Sequence, residues 1–182
     1  MLSVRAADCM PILMVDAKLR AIAAVHAGWR GAAKRIVEKS VGEMRRLFGS
    51  RSRDILVAVG PSIRACCYEV GEEVRNAFGG CGASDSSYFL EGPPDDQAQA
   101  FSRKNPSLSL TSKPPGHGSQ GEALFRLDLV AVARDQLRAA GVPALNIEVA
   151  DFCTACHIDL FFSHRKEGQT GRAMAVVGIR RG

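Results

Sequence analysis

Two short segments bring together side chains that can do chemistry. Ala7-Asp8-Cys9-Met10-Pro11 places a thiol beside a carboxylate, and His26-Ala27-Gly28-Trp29-Arg30-Gly31 places an imidazole four residues before a guanidinium. A cysteine that meets a histidine has two uses. The imidazole can draw off the thiol proton and leave a thiolate nucleophile, or the sulfur and ring nitrogen can together ligate Zn²⁺ or copper. Gly28 and Gly31 let backbone approach a ligand closely. Arg30, just before a helix start, offers a guanidinium beside free N–H groups, a setting that suits phosphate. Asp8 would transfer a proton or orient a neighbour, although a strand-end aspartate more often accepts structural hydrogen bonds. Alone, Cys9 and His26 would each be read as core residues; their glycine- and arginine-rich surroundings favour chemistry.

Three further segments are specialised. Gly60-Pro61-Ser62-Ile63-Arg64-Ala65-Cys66-Cys67-Tyr68-Glu69 links a strand to a helix, and Arg64 in it is a candidate substrate-binding residue. Ser163 to Arg172 is a polar loop before the last strand. Either could line a pocket or be an ordinary turn. Cys153-x-x-Cys156 with His157 could be a zinc half-site or a redox pair. One such pair is weak evidence, and buried thiols near the site are the expectation.

The elements that must hold these groups alternate strand and helix. Ile12 to Val15 and Ile22 to Val25 read as short strands, with Asp16 to Arg20 turning between them. After Gly31 the apolar residues Ala33, Ile36, Val37, Val41, Met44, Leu47 and Phe48 recur at helical spacing, and Gly49 is the stop. Ile55 to Val59 predicts a buried strand, and Val70 to Phe78 a short helix. From about 79 to 123 the texture changes to proline, serine and glycine, with five of the eight prolines, and predicts a flexible insertion loop. Asp128 caps a helix to Ala140 that Gly141 ends. Ile147 to Val149 and Met174 to Ile179 are the last strand candidates. Residues 1–182 thus read as a single domain.

Bulk composition narrows the class. A hydrophobic fraction of 46% and a charged fraction of 24% exclude a disordered or fibrous chain. The net charge of +5 is spread along the sequence rather than massed, so a nucleic-acid partner is not expected. No apolar run approaches a membrane span. Six cysteines and no signal peptide predict a reduced, cytoplasmic protein.

In order, A-D-C-x-P at 7–11, H-A-G-W-R-G at 26–31, G-P-x-I-x-x-C-C-Y-E-V at 60–70, C-T-x-C at 153–156 and S-x-R-x-x-G-x-T-G-R at 163–172 resemble the YfiH family. These proteins are also filed as laccase-like, multicopper polyphenol oxidoreductases. The resemblance runs from about Arg5 to Ile179, interrupted around Pro93 to Gly121. It implies an α/β fold, a layered α/β/β/α sandwich akin to a toxin deamidase with a Cys–His dyad and to a cysteine hydrolase fold. It also implies a metal, usually assigned as Zn²⁺, held by one cysteine and two histidines, with Cys9 and His26 at two matching positions. The second histidine would lie upstream of A-D-C, in a segment outside this sequence; His117, His157 and His164 do not match it. Met1 to Val4 would begin inside a strand, and the exposed edge invites self-association as a homodimer.

The implied activities are phosphorolysis of a purine nucleoside (adenosine, inosine or guanosine) and deamination of adenosine. Copper-dependent oxidation of phenols is the alternative, which four histidines hardly supply with ligands. A metal-free Cys9–His26 hydrolase and a non-catalytic scaffold complete the field.

Overall fold

The computed structural model describes residues 1–79, 85–91 and 125–180. A four-stranded sheet forms the centre, in the order β3-β2-β4-β8, from β2 (Met10–Asp16), β3 (Ala21–Ala27), β4 (Ile55–Val59) and β8 (Ile147–Val149). β2 runs antiparallel to both β3 and β4, and β4 runs parallel to β8. The alternation of β4, buried at Ile55, Val57 and Val59 and open between them, gives the sheet an apolar face. Met10, Ile12 and Met14 extend that face and are fully buried.

Helices cover it. α1 (Trp29–Ala33) follows β3 directly, and α2 (Ile36–Phe48) packs its buried Val37, Val41 and Met44 on the sheet. The predicted single helix is broken because Arg35 adopts a left-handed φ of 58°, which starts a new helix in a new direction. Leu47 and Phe48, expected on the buried stripe, are exposed in the last turn of α2. Gly49, at φ 72°, closes α2 as expected, its N–H bonded to the Arg45 carbonyl. α4 (Leu129–Ala139), after the short α3 (Glu72–Phe78), lies beside α2; the Asp128 carboxylate accepts from the Val130 and Ala131 N–H groups at 3.0 Å.

A two-stranded sheet, β1 (Leu2–Ala6) with β9 (Ala173–Val177), packs across β2 and β3. The described layers are therefore helix, sheet, sheet. The outer face of β1–β9, carrying Ser3, Arg5, Met174 and Val176, is exposed among the described residues, so a second helical layer is not seen there. A third sheet, β5-β7-β6, joins β5 (Glu69–Val70), β7 (Phe125–Leu127) and β6 (Phe89–Glu91). Phe78, Tyr88, Phe89 and Phe125 pack edge to face around it, with centroids 5.7 to 6.5 Å apart. Part of the expected insertion loop, 85–91, is thus ordered structure feeding β6; residues 80–84 and 92–123 of that loop lie outside the described residues. Likewise the first two residues of the expected Val70–Phe78 helix split between β5 and the Gly71 cap.

Candidate active site and a cysteine cluster

Strand directions decide where the chemistry gathers. Because β2 opposes β3 and β4, the start of β2 lies at the same end of the sheet as the ends of β3, β4 and β8. That end receives Asp8 and Cys9 before β2, His26 to Gly28 at the end of β3, Gly60 to Tyr68 after β4 and Ala150 to Cys156 after β8. Four of the five motifs therefore converge through topology alone, and the fifth, Ser163 to Arg172, reaches them through Asp8.

Cys9 Sγ sits against Gly28. A Cβ at Gly28 would lie 2.8 Å from that sulfur, so the glycine makes room for the thiol. His26 pairs with Pro11 across the ladder, two residues from Cys9 on β2. Its Nδ1 is 3.0 Å from the Arg5 carbonyl. With the proton on Nδ1, Nε2 keeps its lone pair for a metal or a substrate proton. Burial pushes the Cys9 thiol up, the Asp8 carboxylate adds to this, and Arg172 counters it. The thiol stays neutral unless a cation comes beside it.

Asp8 is buried, at φ 82°, and both its oxygens are taken. Thr154 Oγ1 donates to one at 2.7 Å and the Arg165 N–H to the other at 2.7 Å, while the Ile63 N–H donates to the Asp8 carbonyl. One residue thus fastens three loops. Arg165 belongs to a one-turn helix, α5 (His164–Glu167), where Ser163 Oγ accepts from the Lys166 N–H and the Glu167 carboxylate accepts from the Ser163 N–H. Its guanidinium donates to the Glu69 carbonyl and lies 5.2 Å from the Tyr68 ring. The Tyr68 phenol is pushed up to about 12, chiefly by burial, with Arg165 and Arg30 opposing and Cys9 and Asp8 reinforcing. Tyr68, Thr154, Arg165 and Arg172 are the residues that sequence reasoning did not single out. The signal was their place inside three of the five motifs.

Arg30 is the second residue of α1, exposed, with its guanidinium 4.2 Å from the Trp29 ring centroid. Arg64 is turned elsewhere. Its guanidinium donates to the Ala150 and Phe152 carbonyls and stands 4.0 Å from Asp151, so it ties the loop after β4 to the loop after β8.

The C-x-x-C is not alone. Cys153 and Cys156 meet Cys66 and Cys67, and the four sulfurs lie within 4.8 Å of one another. Cys156 Sγ is 3.6 Å from Cys66 Sγ and 3.4 Å from Cys67 Sγ, and the Arg64 N–H points at Cys153 Sγ at 3.4 Å. All four are free thiols. Among the described residues no other group of three or more Cys, His, Asp or Glu side chains gathers to metal-binding distance.

Residues 1–180 match the family model described as multi-copper polyphenol oxidoreductase laccase, and the chain belongs to that family. It is 35% identical over 179 residues to a purine nucleoside phosphorylase of Bacteroides thetaiotaomicron, covering 98% of this chain and 56% of that one. It is 36% identical to adenosine deaminase RL5 from an unknown prokaryotic organism, covering 92% of this chain and 53% of that one. The crystal structure of the Bacillus licheniformis hypothetical protein YfiH superposes with a TM-score of 0.74 at 32% identity, covering 94% of this chain and 55% of that one. The chain thus spans about half the length of the relatives it matches. No described helix is long and apolar enough to cross a membrane.

Proposed function

We propose that this chain carries a purine-nucleoside site, with Cys9 and His26 at its reacting centre and phosphorolysis as its principal reaction. The observation that carries this is the His26 imidazole, anchored at Nδ1 by the Arg5 carbonyl, at the sheet end where the Cys9 sulfur rests on Gly28. The relatives named purine nucleoside phosphorylase and adenosine deaminase supply the substrate class.

A sulfur and an imidazole nitrogen fit Zn²⁺ and provide two of the three protein ligands usual in a catalytic zinc site. Bound there, zinc would act as a Lewis acid and render a ligated water acidic. The chain's own residues do the rest. Arg30 on α1 is placed to take phosphate, an anion that a guanidinium grips with paired hydrogen bonds. Asp8 orients rather than transfers a proton, since both its oxygens already accept hydrogen bonds. Tyr68 stays a neutral phenol at physiological pH and supplies an O–H donor. Arg64 supports the site through the loop carbonyls it holds.

A multinuclear copper oxidase needs clustered imidazoles. His26, His157 and His164 do not cluster to metal-binding distance, which favours nucleoside chemistry over phenol oxidation. The α/β/β/α sandwich remains our reading of the whole fold, with the described residues supplying α/β/β. The five described free thiols suit a cytoplasmic setting.

The test is to assay the zinc-loaded chain with three substrates. Phosphate-dependent release of hypoxanthine from inosine supports the proposal. Ammonia release from adenosine without base release would shift it to deamination, and oxygen uptake with a phenol in the presence of copper would replace it.

A further inference from the structure

We infer that Cys66, Cys67, Cys153 and Cys156 form a second, structural metal site that takes a single zinc ion, separate from the Cys9–His26 centre. Four thiolates at ~2.3 Å from a tetrahedral zinc stand roughly 3.8 Å apart. The sulfurs here are preset close to that spacing, Cys156 Sγ lying 3.4 Å from Cys67 Sγ and 3.6 Å from Cys66 Sγ, with all four within 4.8 Å of one another. A disulfide would bring two of them to about 2.05 Å instead. An iron–sulfur cluster would set several irons and sulfides between the thiolates and hold them further apart. Four sulfurs within 4.8 Å of one another, with no other ligand type among them, therefore suit one zinc-sized ion.

The surroundings are those of a metal knuckle. The Cys156 and His157 N–H groups both fold back to the Cys153 carbonyl, making the tight turn that lets both cysteines of a C-x-x-C face one point. The backbone N–H of Arg64 already points at Cys153 Sγ, where it would share the negative charge of a zinc-bound thiolate. On binding, the thiols release their protons to solvent and no electron moves.

Position gives the site its use. Cys66 and Cys67 follow β4 and Cys153 and Cys156 follow β8, so one ion clamps the loops of two neighbouring parallel strands. Thr154, between the two knuckle cysteines, is the residue that donates to Asp8. Asp8 precedes Cys9. The metal would thus hold Thr154, Thr154 would hold Asp8, and the reacting centre would inherit that rigidity.

The test uses the full chain carrying Cys9→Ala and His26→Ala, which leaves the four thiols intact and removes the other centre. Elemental mass spectrometry should find stoichiometric zinc in it. Cobalt replacement should give the intense thiolate-to-cobalt charge-transfer bands of a tetrathiolate, a readout independent of catalysis. Adding Cys153→Ser and Cys156→Ser should abolish both, with circular dichroism checking the fold. Metal-free protein whose four thiols alkylate freely, or mass spectrometry showing a disulfide among them, would overturn the inference. Zinc found here, together with no nucleoside activity in the chain that keeps Cys9 and His26, would sustain this site while contradicting the proposed function.

Discussion

Glycine at position 28 is needed for its missing side chain. A methyl group there would press on Cys9 Sγ at 2.8 Å and turn the thiol out of its seat. Gly28→Ala should therefore cost activity about 10²-fold and leave stability nearly untouched, because the obstructed atom ends a flexible side chain; unchanged turnover would remove Cys9 from the site. Asp8→Ala should act the other way. It leaves the Thr154 hydroxyl and the Arg165 N–H without their partner and puts alanine at φ 82°, a loss of about 2–3 kcal/mol in urea unfolding. Asn, which tolerates that backbone, should recover part of it. Tyr68 sets a pH window. Its phenol is raised from 10.0 to about 12 in the folded chain, so the neutral form favours folding. That contribution is complete below pH 10 and is lost as pH rises from 10 towards 12, and Tyr68→Phe should flatten this alkaline decline in the unfolding midpoint. Cys9 and His26 could be proposed from sequence because Cys9 stands beside Asp8 just before a strand and His26 opens a motif holding Gly28, Arg30 and Gly31. Thr154 and Arg165 could not, since hydrogen bonds across 146 and 157 positions leave no local trace.

Elements were legible wherever a local rule governed them. Asp128 takes two N–H groups of α4, as its place before an apolar run indicated, and Asp128→Ala should lower stability by about 1 kcal/mol, a drop of a few degrees in Tm. The division of α1 from α2 escaped because periodicity continues through Arg35, and a left-handed arginine costs the helix pattern nothing visible. β6 escaped for a different reason. Phe89 and Leu90 gain strand character from pairing with β7, across 38 positions from Phe89 to Leu127, within a stretch whose composition reads as loop.

At the scale of the molecule, the catalytic proposal rests on topology. Reversing β2 against β3 and β4, and laying β8 parallel to β4, delivers four of the five motif loops to one end of the sheet. Sequence order could not disclose this, and for that reason the C-x-x-C was expected to lack a second pair. Cys66-Cys67 and Cys153-x-x-Cys156 lie about 90 positions apart and become neighbours only when β4 and β8 pair. On this proposal the two sites would divide the labour, one holding the loops and the other meeting the substrate.

Chromatography of inosine incubated with phosphate and the zinc-loaded chain, beside its Cys9→Ala variant, tests the central claim. Hypoxanthine and ribose 1-phosphate should accumulate in equal amounts with the unaltered chain and fall to background with the variant, while circular dichroism of the two coincides. Equal product from both proteins would contradict a reaction centred on Cys9.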